Sequence, residues 1–227
     1  MCLVIFAYRS HPDYALVVAA NRDEFHRRET APAAFWADHP ELLAGRDLEQ
    51  GGTWMGVTRG GRFAAITNFR DPAQTAAAPR SRGELPVDYL PADTGPGDWL
   101  AQLEPRAREY AGFNLLLGDP DSLWYASNSS GPALATRALV PGIYGLSKAQ
   151  LDTPWPKVVL GKEKLAALMA TPPPDHDELL QVTADRRLSE PEELHPLGLD
   201  QAMDRLLSAQ FITGETLGYG TRSSTTL

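Results

Sequence analysis

Cys2-Leu3-Val4-Ile5-Phe6-Ala7-Tyr8, a turn at Ser10-His11-Pro12-Asp13, then Ala15-Leu16-Val17-Val18-Ala19-Ala20 running into Asn21-Arg22-Asp23-Glu24 decide the reading of this chain. Both apolar runs are short and rich in strand formers, and the turn between them carries Pro and Asp. They predict a buried hairpin whose second strand ends in polar residues. Cys2 is the only cysteine and stands directly behind the initiator methionine. Cells trim a methionine that precedes a small residue, which would leave a thiol and a free α-amine together. Such a residue brings its own base, as N-terminal threonine nucleophiles do. A free α-amine titrates at about 7.7–8, so part of it is neutral near pH 7. A thiol titrates near about 8.5, and lower beside a cation. The other reading of Cys2 is a small buried residue at a strand start, because free cysteine is among the most buried residue types.

Outward from the hairpin, residues 27–50 mix Pro, Gly and charge and read as a long loop or short helical pieces. Thr53–Thr58 and Arg62–Thr67 are strand-like and joined by Arg59-Gly60-Gly61, a tight hairpin turn. Asn68–Arg82 reads as loop. Gly83–Leu90 and Gly97–Tyr110 read as helices punctuated by Pro91, Pro96 and Pro105. Phe113–Leu117 and Leu123–Ala126 flank Gly118-Asp119-Pro120-Asp121, a second hairpin. Ile143–Leu146 is a short strand. Trp155–Met169 is the clearest helix, with apolar residues at spacings of three and four and Lys162 at the edge of that face. Asp175–Thr183 and Leu199–Leu207 follow as helices, and Tyr219–Leu227 as a closing strand. Hairpins, then helices, then a late strand predict an α+β protein with mainly antiparallel sheets covered by helices. No linker demands a second domain, so residues 1–227 read as one.

The chain carries 21 basic and 29 acidic residues, a net charge of −8 and a pI near 5.1. That balance argues against nucleic acid or an anionic membrane as the main partner. The longest apolar run after the first, Ala15–Ala20, is far short of the roughly 20 residues that span a bilayer, so no stable membrane insertion is expected. A lone cysteine makes no intramolecular disulfide, and a reducing cytoplasm is the simplest home. The segment Cys2–Tyr8 lacks the basic start and small-residue cleavage site of a secretion signal.

Several blocks occur together: Met1-Cys2-Leu3, Asn21-Arg22-Asp23-Glu24, Gly51-Gly52-Thr53-Trp54, Thr67-Asn68-Phe69-Arg70, Ser81-Arg82-Gly83 and Tyr219-Gly220-Thr221-Arg222-Ser223-Ser224-Thr225. Phe113-Asn114-Leu115-Leu116, Tyr125-Ala126-Ser127-Asn128 and Ile143-Tyr144-Gly145-Leu146-Ser147 lie among them. In this order they resemble the NRDE family, also called transport and Golgi organisation two, over nearly the whole chain. That family in turn resembles N-terminal nucleophile hydrolases of the penicillin V acylase and bile-salt hydrolase type. The resemblance implies a four-layer αββα fold, two stacked antiparallel sheets between helical layers, with the nucleophile at the end of a central strand. It also implies a further strand pair after Tyr219–Thr225, which this chain, ending at Leu227, would lack.

The resemblance implies candidate site residues. Cys2 stands where such hydrolases carry the nucleophile, and Asp23 is the candidate to accept a hydrogen bond from its amine and orient it. Asn68, at the end of the second hairpin's return strand, matches the asparagine that in acylases of this type donates to the oxyanion of the tetrahedral intermediate, a role worth roughly 3 kcal/mol. Arg222 takes the place of a late arginine near the nucleophile, where a guanidinium would lower the thiol pKa. Arg22, Asn21, Trp54, Asn128 and Arg82 are candidate ligand-binding residues. Each has a plainer reading. Asn21–Glu24 serves as a polar turn held by an ion pair, and Asn68 and Asn128 serve as turn residues. Trp54 serves as core or pocket wall, Ser81-Arg82-Gly83 as a helix lead-in, and Arg222 as an edge-strand residue in solvent. Bile-salt-hydrolase-type enzymes carry Arg three residues before the Asp, and this chain has Ala20 there.

His11, His26, His39, His176 and His195 have no metal-ligand spacing, and no metal is expected. Gly51, Gly52 and Gly56 permit close backbone packing but lack phosphate-loop spacing. Two functions are in view. One is an amidohydrolase acting on a non-peptide C–N bond of a small acyl amide, requiring no cofactor. The other is a carrier that has lost turnover and binds haem or an acyl-CoA-type lipid in the same cleft.

Overall fold

In the computed structural model, which describes residues 3–70, 78–170, 174–194, 201–214 and 217–227, the first hairpin is formed as predicted. Numbered along the chain, the strands are β1 (Leu3–Tyr8), β2 (Leu16–Phe25), β3 (Thr30–Phe35), β4 (Leu42–Asp47), β5 (Met55–Thr58), β6 (Phe63–Asn68), β7 (Phe113–Gly118), β8 (Leu123–Ser127), β9 (Ala135–Ala138), β10 (Gly142–Leu146) and β11 (Tyr219–Thr226). The helices are α1 (Glu84–Tyr89), α2 (Pro96–Leu103), α3 (Pro156–Met169), α4 (His176–Gln181) and α5 (Gln201–Leu206). This is the expected α+β class, with two mainly antiparallel sheets. Contacts gather the chain into two units: the residues up to Arg27 with Pro141–Leu227, and Arg28–Val140.

The first unit holds a four-stranded sheet in the order β10-β1-β2-β11, every pair antiparallel. Opposed residues share a face and successive ones alternate. Leu3, Ile5 and Ala7 of β1 therefore line up with Val17 and Ala19 of β2, and they pack on Trp155, Val158, Leu165 and Met169. Val4, Phe6, Val18, Ala20 and Arg22 take the other face, where Phe6 stacks on Tyr144 of β10 at 5.2 Å. The helix begins as its sequence predicts. Pro156 stands in the first turn, where a missing N–H costs nothing, and Trp155 before it is extended. Lys162, at the edge of the apolar face, reaches Asp152 at 2.7 Å. The α4 start is a reciprocal cap: Asp175 accepts from the Glu178 backbone, and Glu178 accepts from that of Asp175.

Glycines set how closely α3 approaches the sheet. A Cβ on Gly145 would lie 2.5 Å from Val158 Cγ1, and one on Gly161 would lie 2.7 Å from Ile5 Cγ1. Neither fits without moving packed aliphatic groups.

The second unit is a seven-stranded antiparallel meander, β3 through β9 in chain order. One face, with Leu42, Ala44, Ala64, Ile66, Phe113, Leu115, Leu117 and Ala126, packs on Leu85, Tyr89, Leu90, Trp99, Leu100 and Leu103 of the helical segments. The predicted hairpins β5–β6 and β7–β8 are present. Gly61 takes φ +82° in the first turn, which glycine tolerates. Pro105 does not end helix altogether but starts a 3-10 segment, Glu104–Glu109.

Two expectations need correction. Residues 27–50 hold strands β3 and β4 rather than loop or helix pieces, and β9 was not foreseen. β3 and β9 are the two edges of the sheet, largely exposed, and β3 is interrupted by an irregularity between Ala31 and Ala34. Their extended state comes from pairing with a neighbour, which leaves no apolar alternation to read. The Asn68–Arg82 loop and the start of the Leu199–Leu207 helix fall partly outside the described residues. Among those described, no helix is long and apolar enough to cross a membrane.

Gly145→Ala is expected to destabilise the protein by about 1–3 kcal/mol through overpacking against Val158. Gly60→Ala, whose Cβ would meet nothing nearer than 3.8 Å, is expected to stay within about 0.5 kcal/mol of wild type. Urea unfolding of the two variants checks the contrast.

Candidate functional site

The first described β1–β2 pair is Leu3 opposite Asn21, and β2 runs on through Phe25 with β11 alongside. The four residues Asn21-Arg22-Asp23-Glu24 thus occupy the strand end that the sequence pointed to, at the edge where the chain enters β1. Cys2 itself lies outside the described residues.

The alternation of the strand divides these residues. Asn21 is fully buried on the α3 face. Its Nδ2 donates to the carbonyls of Thr183 (2.8 Å) and Gln210 (2.9 Å), and its Oδ1 accepts from the Ser224 (2.7 Å) and Thr183 (3.3 Å) hydroxyls. Two donors and two acceptors are the full capacity of a primary amide. Asn21 therefore ties β2 to the C-terminal segment, and its amide is spent on structure rather than on a ligand. Asp23, on the same face and 3% exposed, accepts from Thr221 Oγ1 at 2.7 Å. Thr221 Oγ1 in turn accepts from the Ile212 backbone at 2.9 Å. Arg22 points to the opposite face, equally buried, with Glu24 at 4.0 Å.

The spacing of Thr221 and Ser224 depends on a β-bulge. Thr221 opposes Asp23 but Ser223 opposes Arg22, so β11 has one extra residue there. Strict alternation would place residues 221 and 223 on one face. The bulge instead puts 221 and 224 together, matched to Asp23 and Asn21. Arg222 is the extra residue. It is exposed, and its guanidinium donates to the Phe25 and His26 carbonyls, tying down the end of β2. The position corresponds to the plainer reading, an edge-strand arginine, with a capping role added.

Sequence reasoning missed Lys148 and Tyr219 as a pair. Lys148 follows β10, on one edge of the sheet, and Tyr219 opens β11 on the other. Lys148 Nζ donates to the Tyr219 hydroxyl at 3.3 Å. The bond therefore passes across the ends of β1 and β2. No local signal marks it, because the residues are 71 positions apart.

In the second unit, Asn68 closes β6 opposite Phe113 and is half-buried, and among the described residues its side-chain amide takes no hydrogen bond. The other candidates there build the fold. Asn128 Nδ2 donates to the Ala107 and Tyr110 carbonyls at 3.0 and 3.2 Å, and its Oδ1 accepts from the Phe113 backbone at 2.8 Å. Arg82 donates to the Gly112 carbonyl at 3.0 Å. The Trp54 ring lies so close to Gly45 that a Cβ there would stand 2.4 Å from it. Gly52 and Gly83 meet backbone to backbone, with Thr53 N donating to Gly83 O at 3.0 Å. The Gly51-Gly52-Thr53-Trp54 and Ser81-Arg82-Gly83 blocks are thus two sides of one contact. Among the described residues no group of three His, Cys, Asp or Glu is arranged to hold a metal ion.

Thr221→Val keeps the shape and removes both hydrogen bonds of Oγ1. A loss of about 1–3 kcal/mol is expected, read as a lower urea midpoint with unchanged slope.

Comparison with solved structures finds the same kind of fold in amide-hydrolysing proteins. The chain is similar to a Caenorhabditis elegans N-acylethanolamine-hydrolyzing acid amidase ortholog, with a TM-score of 0.55 and 10% identity over 92% of this chain and 98% of that one. It is also similar to a variant of conjugated bile acid hydrolase from Clostridium perfringens, with a TM-score of 0.51 and 10% identity over 82% and 80%. At such identities the likeness is one of fold alone. By sequence it is 34% identical to the human Transport and Golgi organization protein 2 homolog, over 99% of this chain and 87% of that protein. It is 38% identical to the mouse homolog over 72% of this chain, a match spanning 62% of the mouse protein's length. A Drosophila melanogaster relative is 28% identical over 74% of this chain. The sequence profile described as Transport and Golgi organisation 2 matches residues 1–227, and the chain belongs to that family.

Proposed function

We propose that the protein is an N-terminal-cysteine amidohydrolase that cleaves a non-peptide C–N bond in a small acyl amide. The observation that carries the reading is Asp23. Its carboxylate is buried and held by Thr221 on the strand beside the one that begins directly after Cys2, in a fold shared with amide hydrolases. Keeping a carboxylate in such a place costs desolvation, and an α-amine that donates to it at rest and becomes an ammonium during the reaction is a natural partner for it.

In the proposed reaction Met1 is removed. The Cys2 sulfur attacks the amide carbonyl carbon while the α-amine takes the thiol proton. Asn68, carried over from the family resemblance, donates to the oxyanion. The C–N bond breaks as the ammonium returns its proton to the leaving amine, which leaves a thioester on Cys2. Water, deprotonated by the same amine, then releases the carboxylic acid and restores the thiol. Asp23 orients the amine throughout. The chemistry needs no cofactor. Arg22, buried and on the strand face opposite Asp23, is the cation proposed to line the substrate side, while Arg222, bound to two carbonyls, is assigned to structure.

Ala20, where bile-salt-type hydrolases carry arginine, favours a second reading. In it the protein carries haem or an acyl-CoA-type lipid and does not turn over. The subcellular site proposed for either role is the cytoplasm.

Intact mass of protein from its own host, followed by incubation with a panel of acyl amides, tests the proposal. Loss of Met1, with a transient acyl adduct on Cys2 that Cys2→Ala lacks, is the expected result. Retained Met1 with no amine release overturns it, and a Soret shift with haemin that Cys2→Ala abolishes then favours the carrier. Once a substrate is in hand, Asn68→Ala is expected to lower kcat by about 100-fold or more with KM little changed.

A further inference from the structure

Lys148 is an ammonium group that the proposed reaction does not use. It is 8% exposed. Its partner is the neutral Tyr219 hydroxyl, and its Nζ also stands 5.5 Å from the centre of that ring. A phenol and an aromatic face hold a cation in place but do not neutralise it. The acids on the neighbouring strand end are engaged elsewhere, Asp23 by Thr221 and Glu24 by Arg22. Among the described residues no carboxylate pairs with Lys148. An ammonium has three N–H donors, and Tyr219 takes one. Burying a cation without a counter-charge is costly, so the position favours an anion that arrives with a ligand.

Its place in the sheet says where that anion would sit. Lys148 and Tyr219 come from the two edge strands and meet across the end at which the chain enters β1. The Val4–Leu146 and Leu3–Asn21 pairs put this end beside Arg22 and Asp23. We infer that Lys148 is a binding residue for a carboxylate carried by the substrate, which makes the substrate class acyl amides bearing a carboxylate. The inference rests on the amidohydrolase reading for where the scissile bond lies, though binding of the anion itself does not require turnover.

The test separates the two. In the Cys2→Ala protein, which cannot turn over, calorimetry compares N-benzoylglycine with N-benzoylglycinamide, which differ only in carboxylate against carboxamide. The carboxylate is expected to bind about tenfold or more tightly, the span of one charge-assisted hydrogen bond. Adding Lys148→Met should erase the preference, Lys148→Arg should largely restore it, and Arg222→Gln should leave it intact. Equal binding of the two ligands, a preference that survives Lys148→Met, or no binding of either overturns the assignment. If the preference follows Lys148 while the wild-type protein hydrolyses neither compound nor any other acyl amide, the anion site stands and the hydrolase reading falls.

Discussion

The side-chain amide of Asn21 is the interaction on which the N- and C-terminal segments of this chain depend. Its four hydrogen bonds join β2 to Thr183, Gln210 and Ser224, partners 162 to 203 residues away in sequence. Every bonding position of the amide is used, and all of it is buried. Removing such a group would strand the buried Thr183 and Gln210 carbonyls and the Thr183 hydroxyl, each costing about 1–3 kcal/mol. The constraint extends to β11, which must place one hydroxyl on Asn21 and another on Asp23. An unbroken strand has the wrong period for that. The bulge at Arg222 corrects it, and the Arg222 side chain then caps the neighbouring strand end.

Asp23 inherits its position from this arrangement. The same pairing that satisfies Asn21 delivers Thr221 to the carboxylate two residues on. A buried acid, a buried guanidinium on the reverse face and the Lys148–Tyr219 contact then lie at one end of one sheet. Neighbouring positions of a single tetrapeptide thus do different work: Asn21 ties β2 to the C-terminal segment, and Asp23 is a buried carboxylate that accepts from Thr221.

The family blocks were legible in the sequence as blocks, but not by role. Gly51-Gly52-Thr53-Trp54 and Ser81-Arg82-Gly83 looked like separate features and are one backbone contact, because nothing local shows that Gly52 must face Gly83. Asn128 resembled a polar site residue and instead binds the carbonyls of Ala107, in the 3-10 segment before β7, and of Tyr110, just after it. Hairpins β1–β2, β5–β6 and β7–β8 were readable because apolar strands flank turns rich in glycine, proline or aspartate. Edge strands β3 and β9 were not, since exposed residues held by one neighbour have no pattern of their own.

From sequence alone came the α+β class, the central hairpin, the long helix and the family, all of which rest on local periodicity, turn chemistry and ordered motifs. The tertiary structure decided which polar residues hold the fold together, among them Asn21, Asn128 and Arg222. That choice turns on register. A bulge of one residue in β11 opposite β2, and a lysine meeting a tyrosine across two intervening strands, are relations between distant segments. Only folding brings those segments together, and so only the folded chain shows that Asn21 is saturated and that Lys148 is a buried charge answered by a neutral phenol.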